Sequence, residues 1–508
     1  MATINRRDFL KLAGAVPASL ILTDLAQKLG LQKQGSDNLE KPNVIIIVHD
    51  ALNAKNLSVY GYPRRTTPNL ERFAERATVF HRHHSGGNFT IPGVATLMTG
   101  TYPWTHRAFS QSGIITEKFV DNNMFHALDL QYHRSAFPQN VWANFILSQF
   151  SQDIDTLLSP SEFGDFDYIL GDLFTNDSNM AYRALDDFLF KMNYPPPSML
   201  FGTIQRAFFY RDSNRLIPYD YPRGLPRNLN YPIFFRLDNL YNSLASYIQE
   251  LESPFFTYLH MFPPHSPYRP TYEFNRHFDL SDGLPLKKPT HPLSEQNAYS
   301  KLKSNGMQYD RYLATIDNEL GKCLDTLEKN GVLENSYVIL TSDHGEMFER
   351  GESGHSTPML YDPVVHIPLI ISAPGQSSRN DVYSFTNAVD MLPTLAHITG
   401  SPVPNWGEGK LLPTLGGEED MTRSTFSVEA KSNSAFAPLT KASIAMYQGT
   451  HKMVYYTGYS SEDSFELYNL EDDPEELQDL YPEGSVLAKT MQEELLDKLN
   501  EVNQPFQS

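Results

Sequence analysis

The first long apolar run of the chain is Val44-Ile45-Ile46-Ile47-Val48, five β-branched residues with no polar alternation. A strand buried on both faces reads this way, because neither side of the sheet meets water. Similar runs recur at Pro254 to His260, Ser336 to Thr341 and Pro368 to Ser372, while Thr67 to Ala77 and Tyr309 to Asn330 carry helical spacing. Strands alternating with helices predict an α/β fold: a large, doubly wound, mainly parallel sheet flanked by helices, over residues 42–400. The stretch 102–236 is rich in Tyr, Phe, Pro and Asn without a clear period, and is expected to be an irregular insertion over the sheet edge. After Gly400 come Pro- and Gly-bearing loops, then strand-like His451 to Tyr456 and Phe465 to Leu470, then a helical Val486 to Asn500. These predict a small C-terminal α+β subdomain over 401–508. No internal repeat is found.

The N-terminus follows a different pattern. Asn5-Arg6-Arg7-Asp8-Phe9-Leu10-Lys11 precedes an uncharged stretch from Leu12 to Thr23. It resembles a twin-arginine export signal over residues 1–30, too short in its apolar part for a comfortable membrane span. A polar linker, 31–41, follows. The expectation is an exported protein, periplasmic, extracellular or membrane-anchored, touching a membrane only through this segment if it is uncleaved.

At 508 residues, with 40% hydrophobic and 20% charged, the chain can bury a sizeable core. A formal charge of −19 argues against a nucleic-acid partner, since phosphate backbones select basic surfaces. It leaves room for an anionic ester substrate, because a local metal or basic pocket can oppose the global field. The single cysteine, Cys323, excludes an intramolecular disulfide and falls in a helical stretch, where a buried thiol is expected.

Two predicted strands end in acidic residues, at Val48-His49-Asp50 and at Leu340-Thr341-Ser342-Asp343-His344. Open α/β sheets hold their ligands at the carboxyl ends of parallel strands. Asp50 offers a hard oxygen to a divalent cation; Asp343 and His344 offer an oxygen and a nitrogen to one ion, with Gly345 allowing a tight backbone path. The ordinary reading of Asp50 is a helix cap or turn residue, and that of Asp343-His344 is an Asp N-cap beside a surface histidine. The third candidate, Asn88 to Gly100, reads as a loop entering a short helix with the Thr90 hydroxyl near its N-terminus. Such a hydroxyl either caps the helix or sits where free N–H groups and the helix dipole stabilise an anion.

Together these pieces resemble the sulfatase family of the alkaline phosphatase superfamily. Val44 to Asp50 with Thr67-Pro68-Asn69-Leu70 is similar to the family's opening, and Thr90 to Gly100 to its nucleophile motif. His260 to Tyr268 resembles its His…Pro-His-x-Pro-Tyr segment; Asp343 to Glu346, Tyr361-Asp362 and His366 to Leu369 resemble its metal-site stretch. Asp390 to Leu395 and Glu466 to Leu470 with Asp473-Pro474 look like its late signatures. The resemblance implies an alkaline phosphatase-like fold. It makes Asp50, Asp343, His344 and Thr90 ligands of a divalent ion (Zn, Mn, Mg or Ca), with Thr90 the nucleophile. His260, His265 and His355 become groups that bind the transferring anion or protonate the leaving oxygen, and Asn88 joins them as a substrate-binding residue.

The departures bear on the reaction. Sulfatases convert Cys or Ser at the nucleophile position to formylglycine, and threonine cannot become that aldehyde. Gly93 and Val94 stand where sulfatases carry Ser or Cys and then Arg, Ala51 stands where a second carboxylate is expected, and the family's Lys after His355 has no clear counterpart. Threonine resembles instead the phosphodiesterases and phosphotransferases of the superfamily. The expected activity is metal-dependent hydrolysis or transfer of a phosphate ester, a diester above all, through Thr90. A sulfuric ester hydrolase and an inactive protein that binds an anionic glycan or lipid head group are the alternatives.

Overall fold

A computed structural model describes residues 41–110, 113–164, 219–228, 233–279 and 287–507. The twin-arginine segment and all of the linker except Lys41 lie outside the described residues. Among the described residues no helix is long and apolar enough to cross a membrane.

The β-branched run becomes β1 (Asn43–His49), wholly buried as its lack of polar alternation requires. It pairs in parallel with β6 (Phe255–Met261) on one side and β7 (Ser336–Ser342) on the other. The same sheet holds β2 (Thr78–Phe80), β4 (His133–Pro138), β5 (Thr156–Leu157), β8 (Leu369–Ser372) and β9 (Asn380–Val382), and β3 (His83–His84) pairs apart from it with β10 (Thr386–Asn387). The eight-stranded sheet runs β5-β4-β6-β1-β7-β8-β2-β9. The sheet is parallel except where β8 meets β7 and β2.

Side chains of β1 divide between two cores. Val44, Ile46 and Val48 pack with the helices Thr90–Thr99 and Met391–Ile398 on one face. Ile45 and Ile47 pack with Leu237–Glu250 and Tyr299–Lys329 on the other. Each fully buried aliphatic side chain contributes about 1.5–3 kcal/mol, so this doubly covered sheet anchors whatever its strand ends carry.

A second sheet, antiparallel throughout, joins β11 (Thr425–Glu429), β12 (Ala442–Gln448), β13 (His451–Thr457) and β14 (Ser464–Asn469). The helix Val486–Asn503 covers it through Met491, Leu495 and Leu499. Residues Pro42–Ser508 form one compact unit.

The C-terminal sheet packs on the short helix Asp362–Val365, and there Lys452 of β13 is fully buried. Its ammonium lies 2.9 Å from Asp362 and 2.7 Å from Glu476. Replacing Lys452 with methionine would leave two carboxylates buried without a counter-ion, an effect of about 3–5 kcal/mol. A lowered urea midpoint without a change in slope is the expected readout; an unchanged midpoint would show the pair contributes nothing.

Some expectations shift. The first helix begins at Pro68 and ends at Ala74, and the long one starts ten residues before Tyr309, at Tyr299. The supposed insertion 102–236 supplies β4 and β5 to the central sheet itself, although 165–218 and 229–232 lie outside the described residues. The polar residues that disguise β4 are internally satisfied: Arg134 pairs with Asp155, and the Ser135 hydroxyl donates to Thr257 at 2.8 Å.

Candidate active site

Parallel pairing brings the chemistry together. In register, His49 of β1 faces Ser342 of β7, and Val48 faces His260 of β6. Asp50 and Asp343, each the first residue beyond its strand, therefore emerge side by side at the carboxyl edge, with His260 flanking them. All are essentially buried. The backbone at Ala51 turns with φ of 62°, a left-handed conformation that costs a non-glycine residue about 1–2 kcal/mol. Its carbonyl accepts from the Tyr309 hydroxyl at 2.7 Å, and its N–H donates to Asp343 Oδ1 at 3.3 Å.

Ligand atoms of Asp50, Asp343 and His344 lie within 4.8 Å of one another. His344 Nε2 is 3.3 Å from Asp50 Oδ1 and 3.6 Å from Asp343 Oδ2. Asp50 Oδ1 and Asp343 Oδ2 are buried without hydrogen-bond partners. Orphaned carboxylate oxygens at a fully buried position are costly unless a cation satisfies them. His344 Nδ1 is 2.9 Å from the Gly345 carbonyl; an N–H there orients the ring and makes Nε2 the atom that would give its lone pair to an ion. Two hard oxygens and one imidazole nitrogen fit a divalent ion.

Burial opposes a charged His344, but Asp343 and Asp50 push its pKa up to about 9. Burial also works to raise Asp50, yet His265, His260 and His344 hold it well below the usual carboxylate range. A metal ion on Nε2 must displace the His344 proton, so affinity is expected to rise with pH by close to tenfold per unit up to about pH 9. Competition titrations against a chelating indicator between pH 6 and 9 measure this; a flat profile would remove His344 from the ligand set.

Thr90 is the first residue of the helix Thr90–Thr99, and no side chain caps that helix. The hydroxyl is not a capping group. Its Oγ1 lies 3.5 Å from His344 Nε2 and 3.4 Å from Asn140 Nδ2. The helix reaches this place because residue 93 has no side chain: a Cβ there would collide with the Asp343 carbonyl. Gly345 likewise abuts the Pro363 carbonyl, so close approach rather than a left-handed turn explains it. Gly93→Ala should displace Asp343 against Thr90 and lower turnover by about 10²-fold, with reduced metal content as the second readout; unchanged rates would show that the spacing is slack.

The histidines occupy two levels. His260 Nδ1 is 2.9 Å from the Tyr258 hydroxyl, and its Nε2 stands 3.7 Å from both Asp50 and Asp343. His265 and His355 line a cleft of about 850 Å³ together with Thr90. Their rings are 5.1 Å apart, and His355 lies 4.2 Å from the His344 ring. Burial and the neighbouring His344 lower the pKa of His355, with Glu346 opposing them. Glu346 holds the ring by its Nδ1 at 3.2 Å.

Asn88 Nδ2 donates to the carbonyls of His355 and Thr357 at 2.9 and 2.7 Å, which ties it to the His355 loop, and its Oδ1 is buried without a hydrogen-bond partner. Asn140 takes a place that no motif announced. Its Oδ1 caps the helix Val141–Gln149 and its Nδ2 donates to Asp50 Oδ2, filling part of the space around that carboxylate. It follows β4, whose polar composition hides the strand; a helix-capping Asn after Pro138-Gln139 is the only local signal.

The sequence profile described as Sulfatase matches residues 42–401. The chain belongs to the sulfatase family. A second profile, described as the C-terminal part of N-sulphoglucosamine sulphohydrolase, matches residues 351–505 of this sulfatase-family protein. The choline-sulfatase of Rhizobium meliloti strain 1021 is 24% identical over 479 residues, covering 89% of this chain and 85% of its own. Human arylsulfatase K is 23% identical over 504 residues, covering 91% and 83%. Among solved structures, the phosphonate monoester hydrolase of Agrobacterium radiobacter superposes with a TM-score of 0.64 at 21% identity, over 92% of this chain and 96% of that one. The phosphonate monoester hydrolase SpPMH of Silicibacter pomeroyi gives 0.65 at 18% identity, over 91% and 96%. The mixed sheet and the C-terminal antiparallel sheet are thus those of an alkaline phosphatase-like sulfatase fold. The chain is a sulfatase-like ester hydrolase of a metal-dependent family.

Proposed function

We propose that this protein cleaves a phosphate diester or phosphonate monoester, by hydrolysis or by transfer to an alcohol, with Thr90 as the nucleophile. The observation that carries this reading is the Thr90 hydroxyl itself, uncapped, 3.5 Å from His344 Nε2 and open to the cleft. Formylglycine requires a Cβ bearing two hydrogens. The threonine Cβ carries a methyl group, so its oxidation stops at a ketone. Similarity of fold to phosphonate monoester hydrolases adds support.

Asp50, Asp343 and His344 would hold the divalent ion, which supplies positive charge to the reacting anion and favours the ionised hydroxyl. Thr90 gives its proton to water in the cleft and attacks phosphorus. A P–Oγ bond forms as the bond to the leaving oxygen breaks, and that oxygen takes a proton from His265, with the His355 ring held beside it by Glu346. Water or an acceptor alcohol then displaces Thr90 from phosphorus and gives its own proton to the imidazole, while the Thr90 oxygen regains a proton from water in the cleft. His260 Nε2, buried and unpartnered, is set to donate to a non-bridging oxygen. With Ala51 in place of a second carboxylate and Asn140 donating to Asp50, the donor set suits one ion.

A sulfate ester is the second reading, favoured by the names of the relatives, which include choline-sulfatase and arylsulfatase K. Initial rates on bis-p-nitrophenyl phosphate, p-nitrophenyl phenylphosphonate and p-nitrophenyl sulfate, with added divalent metals, separate the two. The proposal expects the phosphorus esters to be cleaved well ahead of the sulfate. A dominant sulfate rate would overturn it, and no turnover of any ester would favour a binding protein.

A further inference from the structure

The cleft above Thr90 has a wall that the reaction does not use. Arg223 and Arg269 line it, facing the same space as Thr90, His265 and His355. Arg269 follows His265 by four residues, so the segment that delivers an imidazole also delivers a guanidinium. Gly224 lies over that guanidinium with φ of 93°, and a Cβ there would come within 2.9 Å of Arg269 Nη1. The left-handed glycine thus lets the 219–228 loop settle onto Arg269 and brings Arg223 beside it.

This grouping is costly as it stands. Arg269 Nε is buried without a hydrogen-bond partner. Burial lowers the Arg269 pKa, and the neighbouring Arg227 and Arg223 charges lower it further, with no carboxylate among the leading influences. Like charges gathered in a cleft repel unless an anion offsets them, and guanidinium donors match carboxylate, sulfate and phosphate oxygens in pairs. Acidic lining residues are accounted for elsewhere. Glu346 holds His355, the Glu352 carboxylate accepts from the N–H of Glu295, and the Glu295 carboxylate accepts from Asn297 Nδ2 at 3.1 Å. Aromatic surface borders the same space at Trp142, stacked on Phe145 with ring centroids 5.7 Å apart.

We propose that Arg269 and Arg223 form a second anion subsite, so that the substrate carries, besides the ester group at Thr90, another carboxylate, sulfate or phosphate on its leaving group. The cleft, at about 850 Å³, has room for both groups and the body between them. A chain of net charge −19 repels anions at long range, which makes a local basic wall the more necessary for a doubly charged ligand. The inference rests on the reading that an anionic ester is processed at Thr90, but its test does not need turnover.

Sulfonates mimic the ester anion and cannot be cleaved, so binding alone is read. Calorimetric titration of the metal-loaded protein with benzenesulfonate, 4-sulfobenzoate and 4′-sulfobiphenyl-4-carboxylate varies the second charge and its distance. At one of the two spacings the dianion is expected to bind about tenfold tighter than the monoanion, the worth of a charge-assisted hydrogen-bonded pair. Arg269→Gln should abolish that preference and leave benzenesulfonate affinity unchanged, and Arg223→Gln, at an exposed position, should reduce it. Equal affinity for all three probes, or a preference that survives both substitutions, overturns the subsite. If the dianion preference holds while every phosphorus ester is inert, the subsite stands and the hydrolase reading falls.

Discussion

Thr90→Ala is expected to lower kcat/KM on a phosphorus ester by about 10⁴-fold or more, the scale on which removal of a covalent nucleophile acts. The substitution deletes the hydroxyl oxygen and one methyl group at a position 4% exposed, on a helix whose start carries no side-chain cap to lose. Folding should therefore change little. Thr90→Ser keeps an oxygen at the same helix position and should retain most of the activity. Rates of both variants against wild type decide the matter, and a Thr90→Ala protein with near-native turnover would remove the nucleophile from the mechanism.

Asp343→Asn should be nearly as damaging, at about 10³-fold in kcat/KM, through loss of the metal. The carboxylate is fully buried, and burial together with the like charge of Asp50 raises its pKa, with His344 and His260 opposing. An amide keeps the shape and the backbone contacts but supplies a weaker, neutral ligand. Removing one of two repelling charges also offsets the lost pairing with His344, so the melting temperature is expected to stay within a few degrees. Metal stoichiometry of the purified variant, beside its rates and thermal melt, checks each part. A variant that keeps both ion and activity would show that Asp343 is not a ligand.

The strands that carry the site were legible because the sheet buries them on both faces. Val44 to Val48, Phe255 to His260 and Val338 to Thr341 have no solvent side and show it as runs made mostly of apolar residues without polar alternation. β4 occupies a comparably interior place, yet His133, Arg134 and Ser135 conceal it, since their polarity is satisfied by partners distant in sequence. The same concealment hides Asn140, the second residue beyond the end of that strand. Tyr299 to Asn305 were missed as helix because Ser300, Lys301 and Ser304 face solvent or cleft and blunt the apolar stripe. Asp50, Asp343, His344 and Thr90 could be picked out singly, but each had an ordinary capping reading. Parallel register between β1 and β7 is what removes it, by placing both carboxylates at one edge.

The central claim is covalent participation of Thr90, and the most direct measurement is a rapid acid quench of wild-type protein with bis-p-nitrophenyl phosphate, followed by peptide mass mapping. The account predicts a peptide containing Thr90 that carries the p-nitrophenyl phosphoryl group and disappears on chase. Turnover with that peptide unmodified at every quench time, or the adduct on another residue, would contradict it.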